Sequence, residues 1–224
     1  MQTTMAKAIT AGEVTFQNSK EIPFQRWYPY IEGYSISFVQ KLIAQYCGNP
    51  QLVYEPFAGT GTTLFAADSM GCNTVYSEIN PLLRLMIAAK LKVMETSCDD
   101  RKVLAGQLLS IAESIVESAQ RYELNVELKE HYQKTFGSSA YFPEKELETI
   151  LRLRSYIDDA RNYDCLLGDL LDIGVLSCLL PVSFLKKQGD VRFRTEAERK
   201  NMSCMADILP SKIREIAEDV GLRV

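Results

Sequence analysis

The polar positions of residues 1–21 follow no sustained apolar period, which predicts an N-terminal arm. Pro23-Phe24-Gln25-Arg26-Trp27-Tyr28-Pro29-Tyr30 is aromatic but broken by proline. Proline lacks an N–H and biases its predecessor towards extended backbone, so this stretch cannot be a regular helix. From Ser35 the pattern becomes helical. Ile36, Val39, Leu42, Ile43 and Tyr46 recur on one face, Ser35 can cap the first turn, and Gly48-Asn49-Pro50 stops the run near Cys47. Residues 51–55 read as a short strand, 62–70 as a short helix ended by Gly71, and 73–77 as a second strand closed by Glu78. Asn80-Pro81 then supplies a cap and a first-turn proline for a helix reaching about Val93.

Beyond this point the pattern is helical. Leu104, Leu108, Ile111 and Ile115 predict one long amphipathic helix, and Phe142-Pro143-Glu144 opens another carrying Leu147, Ile150, Leu151 and Ile157. A third helix, apolar nearly all round, is expected over 164–180 with Pro181 after it, and a last one over 211–220. No strand is predicted from residue 82 onward. The order strand, glycine loop, helix, strand, acid, helix is the first half of a nucleotide-binding α/β sheet. The predicted class is α/β: a partial Rossmann-like sheet of two strands with a large α-helical block. The expected divisions are an arm (1–21), a cofactor-binding part (22–95) and a helical block (96–224).

Composition adds exclusions. With 46% apolar and 24% charged residues in a chain of 224, neither disorder nor a fibrous class fits. Six scattered cysteines with no CxxC pair and a single histidine argue against zinc and for reduced thiols. No uninterrupted apolar stretch approaches the roughly 20 residues that span a bilayer, so no membrane contact and a cytoplasmic location are expected. A net charge of −4 gives no global attraction to nucleic acid, and any polyanion site must be local. The one candidate is the stretch holding Lys186, Lys187, Arg192 and Arg194, for which a solvated loop is the plain alternative.

The chemistry lies in Val53-Tyr54-Glu55-Pro56-Phe57-Ala58-Gly59-Thr60-Gly61-Thr62-Thr63. A glycine turn at the carboxyl end of a first strand lets a ligand lie against bare backbone, and an acid closing the second strand can accept from two ribose hydroxyls at once. Gly59, Gly61 and Glu78 occupy those places. Leu64 stands where a dinucleotide fingerprint needs its third glycine, and no lysine follows Gly61 as a phosphate loop requires. A structural turn without ligand remains open on spacing alone.

Glu55-Pro56-Phe57-Ala58-Gly59-Thr60-Gly61-Thr62-Thr63 closely resembles the first motif of the amino-directed (cytosine-N4 or adenine-N6) DNA methyltransferases, which typically read Asp-Pro-Phe-x-Gly-Ser/Thr-Gly-Thr-Thr. Residues 26–35 resemble the segment that precedes this motif in some members. The resemblance implies that residues 55–63 hold S-adenosylmethionine, with S-adenosylhomocysteine as product. It implies further contacts from Glu78, Ile79, Tyr28 and Tyr30. Tyr28, Tyr30 and Phe57 could equally be packing aromatics, and Glu55 departs from the usual aspartate.

The same family aligns its target amine with Asp/Asn/Ser-Pro-Pro-Tyr/Phe. This chain has eight prolines and no two adjacent, so it contains no such clamp and no catalytic residue of that kind. Asn80-Pro81 is explained as a helix start. The resemblance therefore implies the cofactor-binding subunit of a split enzyme of restriction-modification type. A second polypeptide would complete the fold as a heterodimer and bring the clamp to double-stranded DNA. An engineered fragment would read the same, and an RNA amino-methyltransferase subunit or a non-catalytic S-adenosylmethionine-binding regulatory module are the alternatives.

Overall fold

The computed structural model describes residue 14 and residues 21–29, 33–48 and 50–222. The expected arm and Tyr30 therefore fall almost wholly outside the described residues. The chain forms two compact units, residues 1–91 and 92–224.

In the first unit, residues 21–28 form turns, as the prolines require. Helix α1 (Ile36–Leu42) starts at Ser35, whose hydroxyl accepts from the Phe38 N–H at 3.2 Å. It continues as a π-helical turn, Ile43–Cys47, and stops at Gly48, where φ is +66°. Strand β1 (Leu52–Glu55) pairs parallel with β2 (Asn73–Tyr76), with Leu52 opposite Asn73 and Glu55 opposite Tyr76. Helix α2 (Thr62–Asp68) makes the crossover, and α3 (Pro81–Glu95) follows, with the Asn80 side chain accepting from the Leu82 N–H at 3.0 Å. Alternation along the strands sends Val53 into a core of Val39, Ile43, Ala66, Ala67 and Cys72, while Tyr76 packs on Ala58, Leu64 and Ile87. The opposite face keeps Leu52, Tyr54 and Val75 exposed, at 57%, 62% and 50% of their surface.

The second unit is built around α8 (Cys165–Val182), which packs against α7 (Glu144–Tyr163) and α10 (Met205–Gly221); α10 also packs on α4 (Cys98–Ala112). Two glycines of α8 permit this. A Cβ at Gly168 would lie 2.6 Å from the Arg161 Cβ and 2.9 Å from its Cα, and one at Gly174 would lie 3.3 Å from Ile213. By length and composition alone α8 could cross a bilayer, although Asp169 and Asp172 interrupt its apolar run; 67% of it is buried within the protein. Its two acids are engaged from α7. Asp172 accepts from Arg154 at 3.0 Å and from Arg161, and Asp169 accepts from Arg161 at 3.2 Å.

Four expectations for this unit are corrected. The long helix through Leu104 and Ile115 is two, because at Ser114 φ reaches −137° and α5 (Ile115–Ala119) starts afresh. Helix α6 (Val126–Phe136) was not predicted. Asn125 caps it, accepting from the Leu128 N–H at 2.9 Å, and Leu128, Tyr132 and Phe136 share one face. Helix α10 begins before Pro210 rather than after it, since the Glu146 carboxylate of α7 accepts from the Met205 N–H at 2.9 Å and serves as a borrowed cap. The basic stretch is no loop. It forms an antiparallel hairpin of β3 (Leu185–Gln188) and β4 (Asp190–Phe193), reversing at Gly189 with φ +76°.

The hairpin is braced by Glu198 of the short helix α9 (Glu196–Arg199). Its carboxylate accepts from Arg192 at 2.8 and 2.9 Å, from Lys186 at 2.9 Å and from the Thr195 N–H at 2.9 Å. The Arg192 guanidinium, then Lys186, hold this carboxyl well below its usual range.

Two expectations follow. Gly168→Ala should destabilise the protein by about 1–3 kcal/mol through overpacking against the Arg161 backbone, read as a lower denaturant midpoint; an unchanged midpoint would refute the close approach. Because the folded-state pKa of Glu198 is depressed, its bracing is complete above the ordinary carboxylate value of 4.5 and is lost as pH falls through the depressed one. Amide protection in residues 185–193, measured relative to the intrinsic exchange rate at each pH, should therefore fall from pH 5 to pH 2 more than in Glu198→Gln, and an equal fall in both would remove Glu198 from this role.

Candidate functional site

The glycine loop is held from both strand ends by a carboxylate. Glu55, ending β1, accepts from the Phe57 N–H at 2.9 Å, from the Thr63 hydroxyl at 2.8 Å and from the Tyr34 hydroxyl at 3.2 Å. Thr63 and Tyr34 also share a hydrogen bond of 2.7 Å. Glu55 therefore acts on the loop itself. Glu78, just past β2, accepts from the Gly59 N–H with one oxygen and from the Asn80 N–H with the other, each at 2.8 Å. A carboxylate has about four lone-pair positions, so each oxygen keeps one for a further donor.

Between the acids the backbone takes conformations that require glycine. Gly59 has φ +55° and Gly61 φ +89°, and a Cβ at Gly61 would sit 3.1 Å from the Phe65 ring and 3.2 Å from Ile87. The Gly61 N–H donates to the Ala58 carbonyl at 2.8 Å and closes the turn, while the Ala58 N–H donates to Ser77 and extends the strand pairing. Ala58, Thr60, Thr62 and Thr63 are buried beneath the loop. The Thr60 hydroxyl is buried with no hydrogen-bond partner, unspent capacity of the kind a ligand satisfies.

Pro56, Phe57, Glu78 and Ile79 line one open recess of about 500 Å³ together with Ser77 and Arg84. Phe57 and Ile79 project with 86% and 93% of their surface exposed, flanking the Glu78 carboxylate. The expected site residues are thus divided between two layers. Pro56, Phe57, Glu78 and Ile79 face the recess, and Glu55, Ala58, Thr60, Thr62 and Thr63 form the base. Tyr28 is half-buried, burial pushes its phenol pKa up, and it does not line the recess; Tyr30 lies outside the described residues.

Three participants were not predicted. Tyr34 braces Glu55, Arg84 lines the recess, and the fully buried Lys90 donates to the Thr60 carbonyl at 3.0 Å. Lys90 carried a signal, since it falls on the α3 stripe of Leu83, Met86, Ile87 and Val93, where a lysine is out of character. Arg84 carried none beyond its charge.

The basic hairpin supplies less free charge than its sequence promises. Lys186 and Arg192 are held by Glu198, and Arg194 donates to the carbonyls of Ser183 and Leu185 at 3.0 Å and of Pro181 at 3.3 Å. Lys187 alone of the four is exposed. Among the described residues, no group of three or more His, Cys, Asp or Glu side chains is placed to hold a metal ion.

No family model and no solved structure matches the chain. It is 25% identical over 177 residues to the Type II methyltransferase M.BsoBI of Geobacillus stearothermophilus, covering 79% of this chain and 32% of that protein. It is 27% identical over 192 residues to the Type II methyltransferase M.AvaI of Nostoc sp. and to that of Anabaena variabilis, covering 85% of this chain and 37% of each. The chain thus spans about a third of the length of these curated relatives. A glycine loop of the amino-directed pattern thus stands in a chain that is similar, over most of its own length, to part of these Type II methyltransferases.

Proposed function

We propose that this chain is the S-adenosylmethionine-binding part of a DNA amino-methyltransferase of a restriction-modification system. The observation that carries the reading is Glu78, anchored by two backbone N–H groups with one lone pair per oxygen still free at the mouth of the recess. That geometry suits two adjacent ribose hydroxyls. The residues present fit the cofactor. Gly59 and Gly61 offer bare backbone, Phe57 and Ile79 offer apolar surface beside Glu78, and the Thr60 hydroxyl is unspent. When bound, the cofactor supplies an activated methyl group on a sulfonium. This chain's residues bind and orient it, and none of them is in the catalytic clamp.

Alignment of the target amine is assigned to a second polypeptide carrying the Pro-Pro clamp, paired with this chain as a heterodimer. Two facts support that assignment. No two prolines are adjacent here, and the parallel sheet leaves Leu52, Tyr54 and Val75 on one uncovered face. Parallel sheets are otherwise buried on both faces, so a covering element is expected there. Contact with DNA phosphate is assigned to Lys187, with Lys186, Arg192 and Arg194 holding the hairpin that presents it.

Titration of S-adenosylhomocysteine into the chain should show binding that Glu78→Ala weakens by at least tenfold, since hydrogen bonds to a charged group are worth roughly 1.5–3 kcal/mol each. Equal affinity in that variant would end the assignment. With labelled cofactor, the purified chain should transfer no methyl group to duplex DNA until the clamp-bearing polypeptide is added; transfer by this chain alone would place the catalytic residues here. In the assembled enzyme, Lys187→Ala should weaken binding to every duplex and lower the logarithmic salt slope by about 0.9, and an unchanged slope would remove the hairpin from the DNA.

A further inference from the structure

Helix α3 buries Leu83, Met86, Ile87, Ala89 and Val93, and Lys90 lies in the same face with no exposed surface. Burying an ammonium is costly, and an apolar side chain would fill such a position at lower cost. The Lys90 Nζ donates to the Thr60 carbonyl at 3.0 Å and lies 5.4 Å from the centroid of the Phe65 ring. Thr60 separates the two glycines, and Phe65 and Ile87 are the side chains against which Gly61 rests. Lys90, one turn beyond Ile87 on α3, therefore completes a three-sided support under the loop.

The consequence of that hydrogen bond reaches further than one carbonyl. A peptide group is planar and trans, so holding the Thr60 carbonyl also holds the Gly61 N–H on its opposite side. That N–H closes the turn onto Ala58 at 2.8 Å. On the other side of Thr60, the Gly59 N–H is held by Glu78 at 2.8 Å. The backbone from 58 to 61 is thus held at Gly59 by a carboxylate and at Thr60 by an ammonium.

We propose that Lys90 is a positioning residue for the cofactor: its buried ammonium, through the Thr60 carbonyl, sets the peptide planes of the glycine loop that the ligand lies against. This rests on the reading of the loop as the S-adenosylmethionine site. The role asks for a donor at this position rather than for bulk, so it separates from packing by choice of substituent. Methionine keeps the length and the burial and removes the donor. Glutamine keeps a donor on a shorter, neutral arm.

The test uses the full chain, S-adenosylhomocysteine as probe, and the amide resonances of the glycines. Lys90→Met should remain folded, bind about tenfold or more weakly, and show displaced Gly59 and Gly61 amide resonances in the ligand-free protein, with those of Gly137 and Gly189 unmoved. Lys90→Gln should fall between Lys90→Met and the native chain. A folded Lys90→Met variant with native affinity and unmoved Gly59 and Gly61 resonances overturns the role, as does weakened binding with those resonances unmoved. If Lys90→Met does not fold, the same outcomes are read on Lys90→Gln. A native chain that binds no S-adenosylhomocysteine overturns the cofactor reading itself, a result distinct from any shown by the variants alone.

Discussion

Two carboxylates at the ends of two paired strands organise the first unit, and the functional reading depends on them. At its two glycines the loop offers bare backbone and has no side chain to pack, so its conformation there must be imposed by other groups. Glu55 does this on the near side, gathering the Phe57 N–H and the hydroxyls of Thr63 and Tyr34. Glu78 does it on the far side, spanning Gly59 and Asn80. Parallel pairing in register, Glu55 opposite Tyr76, brings both acids to the same end of the sheet. Without that register the loop would be a glycine-rich turn with no fixed shape.

The helical unit answers a similar problem with charge at helix surfaces. Arg154 and Arg161 of α7 serve three aspartates, Asp158, Asp169 and Asp172, and the last of these is nearly buried. Removing one partner from such a group leaves a charge uncompensated, which costs more than the intact group contributes, so the network fixes the register of α7 on α8 more than it adds stability. The close contact at Gly168 lies at the same crossing, against the Arg161 that pairs with Asp169 and Asp172.

What the sequence disclosed and what it withheld divide along a physical line. Elements whose start and stop are written locally came through: α1 with Ser35 and Gly48, α3 with Asn80 and Pro81, and β1 and β2 with the glycines and acids that end them. Elements defined by distant partners did not, and neither did α6, although Asn125 and Gly137 bound it locally. The true start of α10 depends on Glu146, 59 residues away, and the basic hairpin depends on Glu198 of a helix with a four-residue span. The hairpin also carried only a faint mark, since β4 alternates Val191 and Phe193 with Asp190 and Arg192 over just four residues while β3 continues from Leu185 as Lys186-Lys187-Gln188. In the site, the glycines and acids could be named because backbone conformation and charge constrain residue type. Of their supports, Lys90 showed in the sequence only as a lysine on an apolar stripe, and the contact of Tyr34 could be recognised only once the loop it touches was in place.

This division bears on how work is shared in the proposed enzyme. Displacing a methyl group from a sulfonium needs little acid–base chemistry and depends on alignment, in which small displacements are costly. Every support described for the loop, the two carboxylates, the positive-φ glycines and the ammonium of Lys90, fixes backbone rather than presenting a reactive group. That is the construction expected of a component that holds the methyl donor rigidly and leaves approach and orientation of the amine to another. A mobile loop would lose ordering entropy on each binding event and would present the methyl group over a range of positions. A rigid one lets the clamp-bearing part select a single line of attack. The uncovered face of β1 and β2 would then give that part a surface on the same strands whose ends carry the loop, so that docking and alignment are referred to one rigid element.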